Sequence, residues 1–235
     1  ITETDHLEKH ADGSHYSTTG QLKLGRRFGN QLVKLLEDNN SLKFDDTGKT
    51  TWNSAFRLVK IKSTLDDTIQ KAYFYKARSE EKRPLIVSLH TWSGDYTQQD
   101  DLAELCQAKN INYIHPDFRG PNWTKDACCS QSVLSDIDDA ISYAINNARV
   151  DPAKIYVIGV SGGGYATLCT FMRSKHQINT FSAWASISDL EAWYRESKIR
   201  QNNYASHILA CTGSGNTLNI HQARRKSPIF RDTPF

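Results

Sequence analysis

A serine flanked by glycines is the residue of this sequence best placed to do chemistry. An apolar run of strand length, residues 155–158, leads directly into the Gly-x-Ser-x-Gly pattern of residues 159–163, and a helical pattern follows. This order of elements is typical of a nucleophile elbow, where a sharp strand-to-helix turn lifts a serine hydroxyl clear of the sheet. The glycines two residues before and after the serine would avoid clashes with the neighbouring strand and helix. Ser161 is therefore the candidate nucleophile.

A glycine-rich turn between a strand and a helix can also bind phosphate. The sequence lacks the two patterns that mark such sites, because Gly-x-Gly-x-x-Gly does not occur and no lysine follows the glycines as in a Walker loop. The cysteines and histidines also lack the spacing of metal ligands. We therefore expect neither a cofactor nor a metal, and serine chemistry is the favoured interpretation.

A serine that attacks a carbonyl group needs hydrogen-bond donors for the oxyanion. The amide of Gly162, directly after the nucleophile, would supply one of them. The loop after the buried strand of residues 85–89 should supply the other; the Trp92 amide is the first choice by position, and Thr91 is the neighbouring alternative. A plain turn around a buried tryptophan would give the same pattern. His90 begins this loop, and we expect it to brace the loop rather than to act as a base.

Alternating strand and helix patterns surround these residues. Two strands, residues 55–62 and 69–76, flank a polar corner and predict a β-hairpin. Strand patterns then alternate with helical ones, and these strands fall at residues 85–89, 111–115, 155–160 and 181–187. An antiparallel start followed by this alternation predicts a mixed, mostly parallel sheet with helices on both faces.

Composition and charge argue against several classes of protein. The 235 residues carry a formal net charge of +3, and the basic residues are interspersed with acidic ones, which argues against nucleic-acid binding. No apolar stretch approaches the roughly 18 residues that a membrane span requires. Polar residues 1–20 predict a loosely attached arm, and residues 21–235 a single domain that begins with a helix over residues 22–38.

Five cysteines are too few for a dense disulfide framework. Cys106 and Cys169 fall on the apolar faces of predicted helices, which indicates buried thiols. Cys128 and Cys129 lie in a predicted loop, and a bridge from one of them to Cys211 would suit an exported protein. A first residue other than methionine would fit removal of a signal peptide, and it would equally fit a trimmed sequence or a disordered start that is left out. We therefore expect a secreted or periplasmic protein.

Residues 84–228 resemble the catalytic domain of the prolyl oligopeptidase family of α/β-hydrolases, and acetyl esterases related to it. The resemblance implies an α/β-hydrolase fold and serine hydrolase chemistry, in which attack by Ser161 forms an acyl-enzyme that water hydrolyses. Together the matching segments are far more specific than the serine motif alone. They are residues 85–90, 116–120, 136–141, 159–165 and 227–228.

Two departures from the peptidases of this family favour an ester substrate. His90 is followed by Thr-Trp-Ser-Gly instead of Gly-Gly-Pro-Gly, and the 235 residues leave no room for a large propeller. We therefore expect a small-molecule or saccharide ester, such as an acetylated polysaccharide, as the substrate. A peptidase of the prolyl oligopeptidase type and a non-catalytic binding protein of the same fold are the alternatives.

The acid and the histidine of a catalytic triad are not evident in the sequence. In the α/β-hydrolase fold they follow the nucleophile, after the last two strands. Residues 227–230 resemble the segment just before the first of those strands, so we expect the acid and histidine beyond Phe235 and a sheet without its last strands. Asp189 followed by His207 or His221 has the right order and is the alternative within the sequence, although Asp189 would equally cap a helix.

Polar and aromatic residues also occur in the loops at the carboxyl ends of the predicted strands, where ligands bind in such sheets. They could clamp a sugar or an acidic group, or they could simply pack the loops together. The sequence leaves both interpretations open for Trp92, Tyr96, Arg119, Asn122, Trp123 and Tyr165.

Overall fold

The computed structural model describes residues 51–230, which belong to one compact unit. The predicted arm of residues 1–20, the boundary at residue 21 and the predicted helix over residues 22–38 lie outside the described residues. The described part contains one sheet with the strand order β1-β2-β4-β3-β5-β6. Its strands are β1 (Arg57–Lys62), β2 (Ile69–Tyr75), β3 (Arg83–Leu89), β4 (Asn112–Pro116), β5 (Val150–Val160) and β6 (Thr180–Trp184).

The sheet is mixed but mostly parallel, as the sequence predicts. The hairpin partners β1 and β2 are antiparallel, and β2 also runs antiparallel to β4. The strands β4, β3, β5 and β6 are parallel to their neighbours. Each parallel connection therefore requires a crossover, and helices provide these crossovers on the two faces of the sheet. This is the fold of the α/β-hydrolases.

Side chains cap four of the helices in residues 51–230. Asp100, Ser130, Asp189 and Asn219 each directly precede a helix and accept a hydrogen bond from a backbone amide in its first turn. The cap expected at Asp189 is thereby confirmed. The helices are α1 (Asp101–Ala108), α2 (Gln131–Asn147), α3 (Gly162–Arg173), α4 (Leu190–Ile199), α5 (Tyr204–Cys211) and α6 (Ile220–Arg225), and a 3-10 turn (Pro228–Phe230) follows.

Hydrophobic clusters cover both faces of the sheet. Successive residues of β4 point to opposite faces, so Ile114 packs into the core shared with α2, whereas Tyr113 packs with α1. A third cluster lies among the loops and α3–α5, and it includes Trp92 and Tyr165. This third cluster supports the carboxyl ends of β3 and β5, where the predicted site lies. Among residues 51–230, no helix is long and apolar enough to cross a membrane.

Candidate active site

Ser161 occupies the sharp turn between β5 and α3. Its backbone has a φ of 55° and a ψ of −114°, a conformation that is unfavourable for residues other than glycine. The surroundings hold this strained conformation, because the Ser161 amide donates to the Trp184 carbonyl at 2.9 Å and its carbonyl accepts from the Tyr165 amide at 2.9 Å. The side chain is partly exposed. Strand, strained turn and helix therefore form the predicted elbow.

Two glycines of the motif allow the backbones of the elbow to touch. A Cβ atom on Gly159 would lie 2.2 Å from the carbonyl carbon of Gly163. A Cβ atom on Gly163 would lie 2.2 Å from the carbonyl oxygen of Leu89, at the end of β3. Both distances are far below any real carbon contact, so only glycine fits at either position. The expected steric role of these glycines is confirmed.

Trp92 lies directly against the first residue of α3. A Cβ atom on Gly162 would lie 2.2 Å from the Trp92 nitrogen and 2.3 Å from its Cα atom. The Thr91 amide, in contrast, donates to Oε1 of Gln98 at 2.9 Å and is therefore engaged. The structure thus brings Trp92 and Gly162 together next to Ser161, and it favours Trp92 over Thr91 as a second donor. Gln98, which engages Thr91, has no signal in the sequence that would single it out.

His90 supports this loop from beneath. Its ring stacks on Phe118, with 3.8 Å between ring centroids and an interplanar angle of 3°. Its Nε2 lies 2.7 Å from the Asp117 carbonyl oxygen and its Nδ1 lies 2.9 Å from the Thr91 carbonyl oxygen. Burial lowers the pKa of His90 to about 4, so the ring is neutral at pH 7 and donates to one carbonyl at a time. This geometry matches the expected bracing role.

Arg119 faces the interior of the protein and does not form a clamp at the mouth of the site. Its Nε donates to Oδ2 of Asp136 at 2.5 Å, and its Nη1 donates to Oδ2 of Asp66 at 2.8 Å. Ser63 adds a hydrogen bond to Oδ1 of Asp136 at 2.6 Å. These bonds fasten the loop after β4 to α2 and to the β1–β2 corner. They also hold Phe118 and Arg119 in left-handed conformations, with φ values of 35° and 77°.

Most of the other loop residues considered for ligand binding pack internally as well. Asn122 and Tyr165 are fully buried; the Asn122 amide donates to the Trp92 carbonyl at 2.8 Å, and the Tyr165 hydroxyl donates to the Lys226 carbonyl at 2.7 Å. The Tyr96 hydroxyl accepts from Lys71 at 3.2 Å. Loop packing therefore accounts for Asn122 and Tyr165, whereas Tyr96 is partly exposed. Trp123 stays partly exposed.

An aromatic cluster from α4 and α5 covers Trp92. The Trp92 indole donates to Nδ1 of His207 at 3.3 Å and meets Trp193 edge-on at 4.8 Å. Trp193 in turn contacts Tyr204 at 4.8 Å, and His207 contacts Trp123 at 4.7 Å. Trp193 and Tyr204 have no signal in the sequence that marks them as part of the site, because they lie in helices with no local motif that connects them to the elbow.

A model of the prolyl oligopeptidase family matches residues 101–229, which is more than half of the chain. The chain belongs to the prolyl oligopeptidase family. The mixed, mostly parallel sheet and the strand-turn-helix arrangement at Ser161 are consistent with that membership.

Several solved peptidases share this fold. An acylaminoacyl peptidase in complex with Z-Gly-Gly-Phe-chloromethyl ketone has a TM-score of 0.60 and is 22% identical; the match covers 74% of this chain and 29% of that one. A Pyrococcus horikoshii acylaminoacyl peptidase has a TM-score of 0.57 and 20% identity, with the same coverages. A puromycin-hydrolyzing peptidase of Mycobacterium tuberculosis has a TM-score of 0.56 and 17% identity, and also covers 74% and 29%.

A curated relative is similar over a shorter stretch. The uncharacterized protein YfhR of Salmonella typhi is 25% identical over 128 residues, which are 48% of this chain and 44% of that protein. The chain therefore spans less than half of this relative and under a third of the solved peptidases. The expected preference for an ester substrate, and for a carbohydrate ester in particular, has no support from these comparisons.

The alternative triad, in which Asp189 and either His207 or His221 would serve Ser161, is not connected by hydrogen bonds within residues 51–230. Asp189 is engaged at the start of α4, and His207 accepts from Trp92. His221 lies exposed in α6. Within residues 51–230, no hydrogen bond connects any of the three to Ser161. An acid and a histidine beyond Phe235 therefore stay a prediction. The described residues also contain no group of three or more potential ligands that could hold a metal ion.

The cysteines are arranged differently from the expectation. Cys169 is not a buried thiol, because it forms a disulfide with Cys129 that joins α3 to the loop before α2. The two residues are 40 positions apart, so the pairing depends on tertiary packing and cannot be read from a helix face. Cys106 is a buried thiol beneath the sheet, as expected. Cys128 lies next to Cys211, with 2.6 Å between the sulfur atoms.

Proposed function

We propose that this chain carries the nucleophile and the oxyanion hole of a serine peptidase of the prolyl oligopeptidase type. The observation that carries the proposal is the strained turn at Ser161, beside which the backbones of Gly162 and Trp92 are in contact. Strain of this kind persists only where the surrounding structure holds it, and it occurs preferentially at functional sites. Membership of a peptidase family adds the reaction class.

The reaction follows from the position of these groups. Ser161 Oγ attacks the carbonyl carbon of the scissile bond, and the carbonyl oxygen becomes an oxyanion that accepts hydrogen bonds from the Gly162 and Trp92 amides. The tetrahedral intermediate then expels the amine and leaves an acyl-enzyme on Ser161. Water attacks the acyl-enzyme in the second half-reaction and regenerates the serine.

The general base and the acid that orients it are proposed to lie in residues that follow Phe235. His90 is unsuited to the role of base, because its ring nitrogens face two carbonyl oxygens and its pKa is lowered to about 4 by burial. His207 is also engaged, since its Nδ1 accepts from the Trp92 indole. A base supplied after the final strands would approach Ser161 from the open end of the sheet.

We propose a short or N-blocked peptide with an aromatic or apolar residue on the acyl side as the substrate. Two features support this choice. The acylaminoacyl peptidase that this chain resembles was solved with Z-Gly-Gly-Phe-chloromethyl ketone, a compound built on a peptide that ends in phenylalanine. The aromatic cluster around Trp92 also includes the partly exposed Trp123 and Trp193, which would contact an aromatic side chain favourably.

Ester hydrolysis is the second candidate, and one observation favours it. The oxyanion loop contains Thr91 and Trp92 in place of the paired glycines of the family's peptidases. Esters and amides pass through the same acyl-enzyme, so the two activities differ mainly in how the leaving group is expelled. A direct comparison of the two substrate classes is therefore needed.

Labelling of the full-length protein with a fluorophosphonate probe tests the nucleophile. The tryptic peptide 155–173 is expected to carry the probe on Ser161, and Ser161→Ala should abolish the label. Hydrolysis of a succinyl-dipeptidyl-Phe p-nitroanilide by the same variant should fall by at least about 10⁴-fold, because the covalent route is lost. Ser214→Ala, at a serine outside the elbow, is the matched control and should behave as the wild type.

The outcomes separate the three functions. Cleavage of the anilide that depends on Ser161 supports the peptidase. Cleavage of p-nitrophenyl acetate with no anilide cleavage would overturn the peptidase in favour of the esterase. Failure of the folded full-length protein to react with the probe would contradict both and would support a non-catalytic binding protein.

A further inference from the structure

Four of the five cysteines converge on one region beside the elbow. Cys129, in the loop before α2, is bonded to Cys169 in the middle of α3, and their Cα atoms are 6.1 Å apart. The preceding residue, Cys128, has its sulfur 2.6 Å from the sulfur of Cys211, the last residue of α5. All four side chains are buried.

The approach of Cys128 to Cys211 is too close for two sulfur atoms that are merely packed together. A covalent S–S bond is about 2.05 Å long, and 2.6 Å is much nearer to that length than to an ordinary contact between two sulfur atoms. The pair therefore has the proximity of a disulfide.

The backbone of the loop directs its two cysteines to different helices. Cys128 and Cys129 have φ values of 57° and 52°, in the left-handed region that residues other than glycine rarely adopt. As a result, one sulfur reaches α3 and the other reaches α5. Two consecutive strained residues need strong restraints, and one covalent restraint is already present at Cys129.

We propose that Cys128 and Cys211 form a second disulfide bond, so that two adjacent cysteines connect one loop to both α3 and α5. Formation of the bond removes two protons and two electrons from the two thiols. A low-molecular-weight disulfide such as oxidised glutathione accepts the electrons: one cysteine attacks it and releases a thiol, and the second cysteine then displaces the other thiol from the mixed disulfide. The products are the protein disulfide and two molecules of the reduced thiol.

The disulfide between Cys128 and Cys211 forms during folding, before the two side chains become buried. Burial raises the pKa of the Cys211 thiol, so the reactive thiolate is scarce once the protein has folded. An oxidant also has poor access to a side chain with no exposed surface. Exchange is therefore expected during folding, when both cysteines are still accessible.

The second disulfide would restrain the cover of the candidate active site. Cys211 ends α5, and the same helix carries His207, which accepts the hydrogen bond of the Trp92 indole. The proposed oxyanion amide belongs to Trp92. A covalent link at Cys211 thus holds the helix that supports this residue, and it does so whether or not the protein is a peptidase.

Peptide mapping without reductant tests the proposal directly. The full-length protein is folded with a mixture of reduced and oxidised glutathione, denatured in iodoacetamide and digested with trypsin. Cys128 and Cys129 share the peptide 126–149, whereas Cys169 lies in 155–173 and Cys211 in 201–224. We expect one species of three linked peptides, with Cys106 as the alkylated residue among the five described cysteines. Recovery of 126–149 linked to 155–173 alone, together with alkylated 201–224, would overturn the proposal.

Serine variants assign the pairing and its effect. Cys128→Ser and Cys211→Ser should each free peptide 201–224 and leave 126–149 linked to 155–173, whereas loss of the latter link in Cys128→Ser would contradict the assignment. We expect the thermal midpoint of Cys211→Ser to fall by about 5–10 °C and amide exchange to rise in residues 204–211. Cys106→Ser is the matched control and should leave the three-peptide species intact. If a variant does not fold, the non-reducing peptide map of the wild-type protein still decides whether the second disulfide is present.

Discussion

At Gly162, the lack of a side chain allows the Trp92 backbone to reach the start of α3. The gap between these backbones is smaller than a methyl group, because a Cβ atom would lie 2.2 Å from the Trp92 nitrogen. Neither the serine nor the tryptophan side chain sets this distance. The spacing of the two candidate oxyanion donors therefore depends on the absence of a Cβ atom at Gly162.

Gly162→Ala tests this dependence. The added methyl group should push the Trp92 loop away and weaken stabilisation of the oxyanion, so we expect kcat/KM to fall by about 10²-fold. The rate of fluorophosphonate labelling should fall in parallel. Gly215→Ala is the control, because nothing lies within 4 Å of a Cβ atom there. Equal activities of the two variants would contradict the proposed oxyanion hole.

At the scale of secondary-structure elements, one arginine connects three parts of the fold that are distant in sequence. Arg119 follows β4, and its guanidinium bonds Asp136 in α2 and Asp66 in the β1–β2 corner. The Asp136 side chain has no exposed surface, and that of Arg119 is only 10% exposed. Removal of one partner from such a pair leaves a buried charge without compensation.

Arg119→Leu should therefore destabilise the protein by about 3–5 kcal/mol, as measured by urea unfolding. The neighbouring loop carries Phe118, on which His90 stacks, so activity should also fall. The matched control is Arg149→Leu, which breaks the exposed pair with Glu80 and should have a much smaller effect. A loss of stability no larger in Arg119→Leu than in Arg149→Leu would show that the buried pair contributes little.

At the scale of the whole molecule, buried histidines couple stability to pH. Burial lowers the pKa values of His90 and His115 to about 4, whereas an unfolded histidine titrates near 6.5. Between these values the unfolded state binds protons that the folded state does not, so stability falls as the pH drops from about 6.5 to about 4. Asp117 acts in the opposite direction, because burial raises its pKa to about 6 and the folded state then takes up a proton first.

Burial also raises the pKa values of Asp100 and Asp136, which oppose the histidines as Asp117 does, whereas the hydrogen bond from Arg119 lowers the pKa of Asp66, which adds to the histidine effect. Each histidine contributes roughly 2–3 kcal/mol between pH 7 and pH 4.5, so we expect the free energy of unfolding to fall by about that much more in the wild type than in a variant that lacks one of them. Urea titrations at a series of pH values measure the change. His115→Gln, which does not titrate, should reduce the slope. The same dependence on pH in the wild type and in His115→Gln would contradict the assignment of a neutral buried histidine.

Local features of the fold and the site could be predicted from the sequence. The elbow is one continuous segment, in which an apolar strand, a glycine-rich turn and a helix succeed one another, and backbone preferences alone favour that order. The cap at Asp189 and the hairpin of β1 and β2 are local in the same sense. The parallel strands were also evident, because strands buried on both faces form unbroken apolar runs.

Contacts between distant segments could not be predicted in this way. The bond between Thr91 and Gln98, which leaves Trp92 as the better oxyanion donor, depends on how a loop folds back over itself. The pairing of Cys129 with Cys169 and of Arg119 with Asp136 depends on the distance between elements after they pack. A local sequence pattern indicates only the conformation of its own segment. The partners of Thr91, Cys129 and Arg119 come from other parts of the chain, so they depend on how the elements pack. The candidate nucleophile could therefore be predicted from a few adjacent residues, because the elbow is local, whereas its surroundings depend on how the elements pack together.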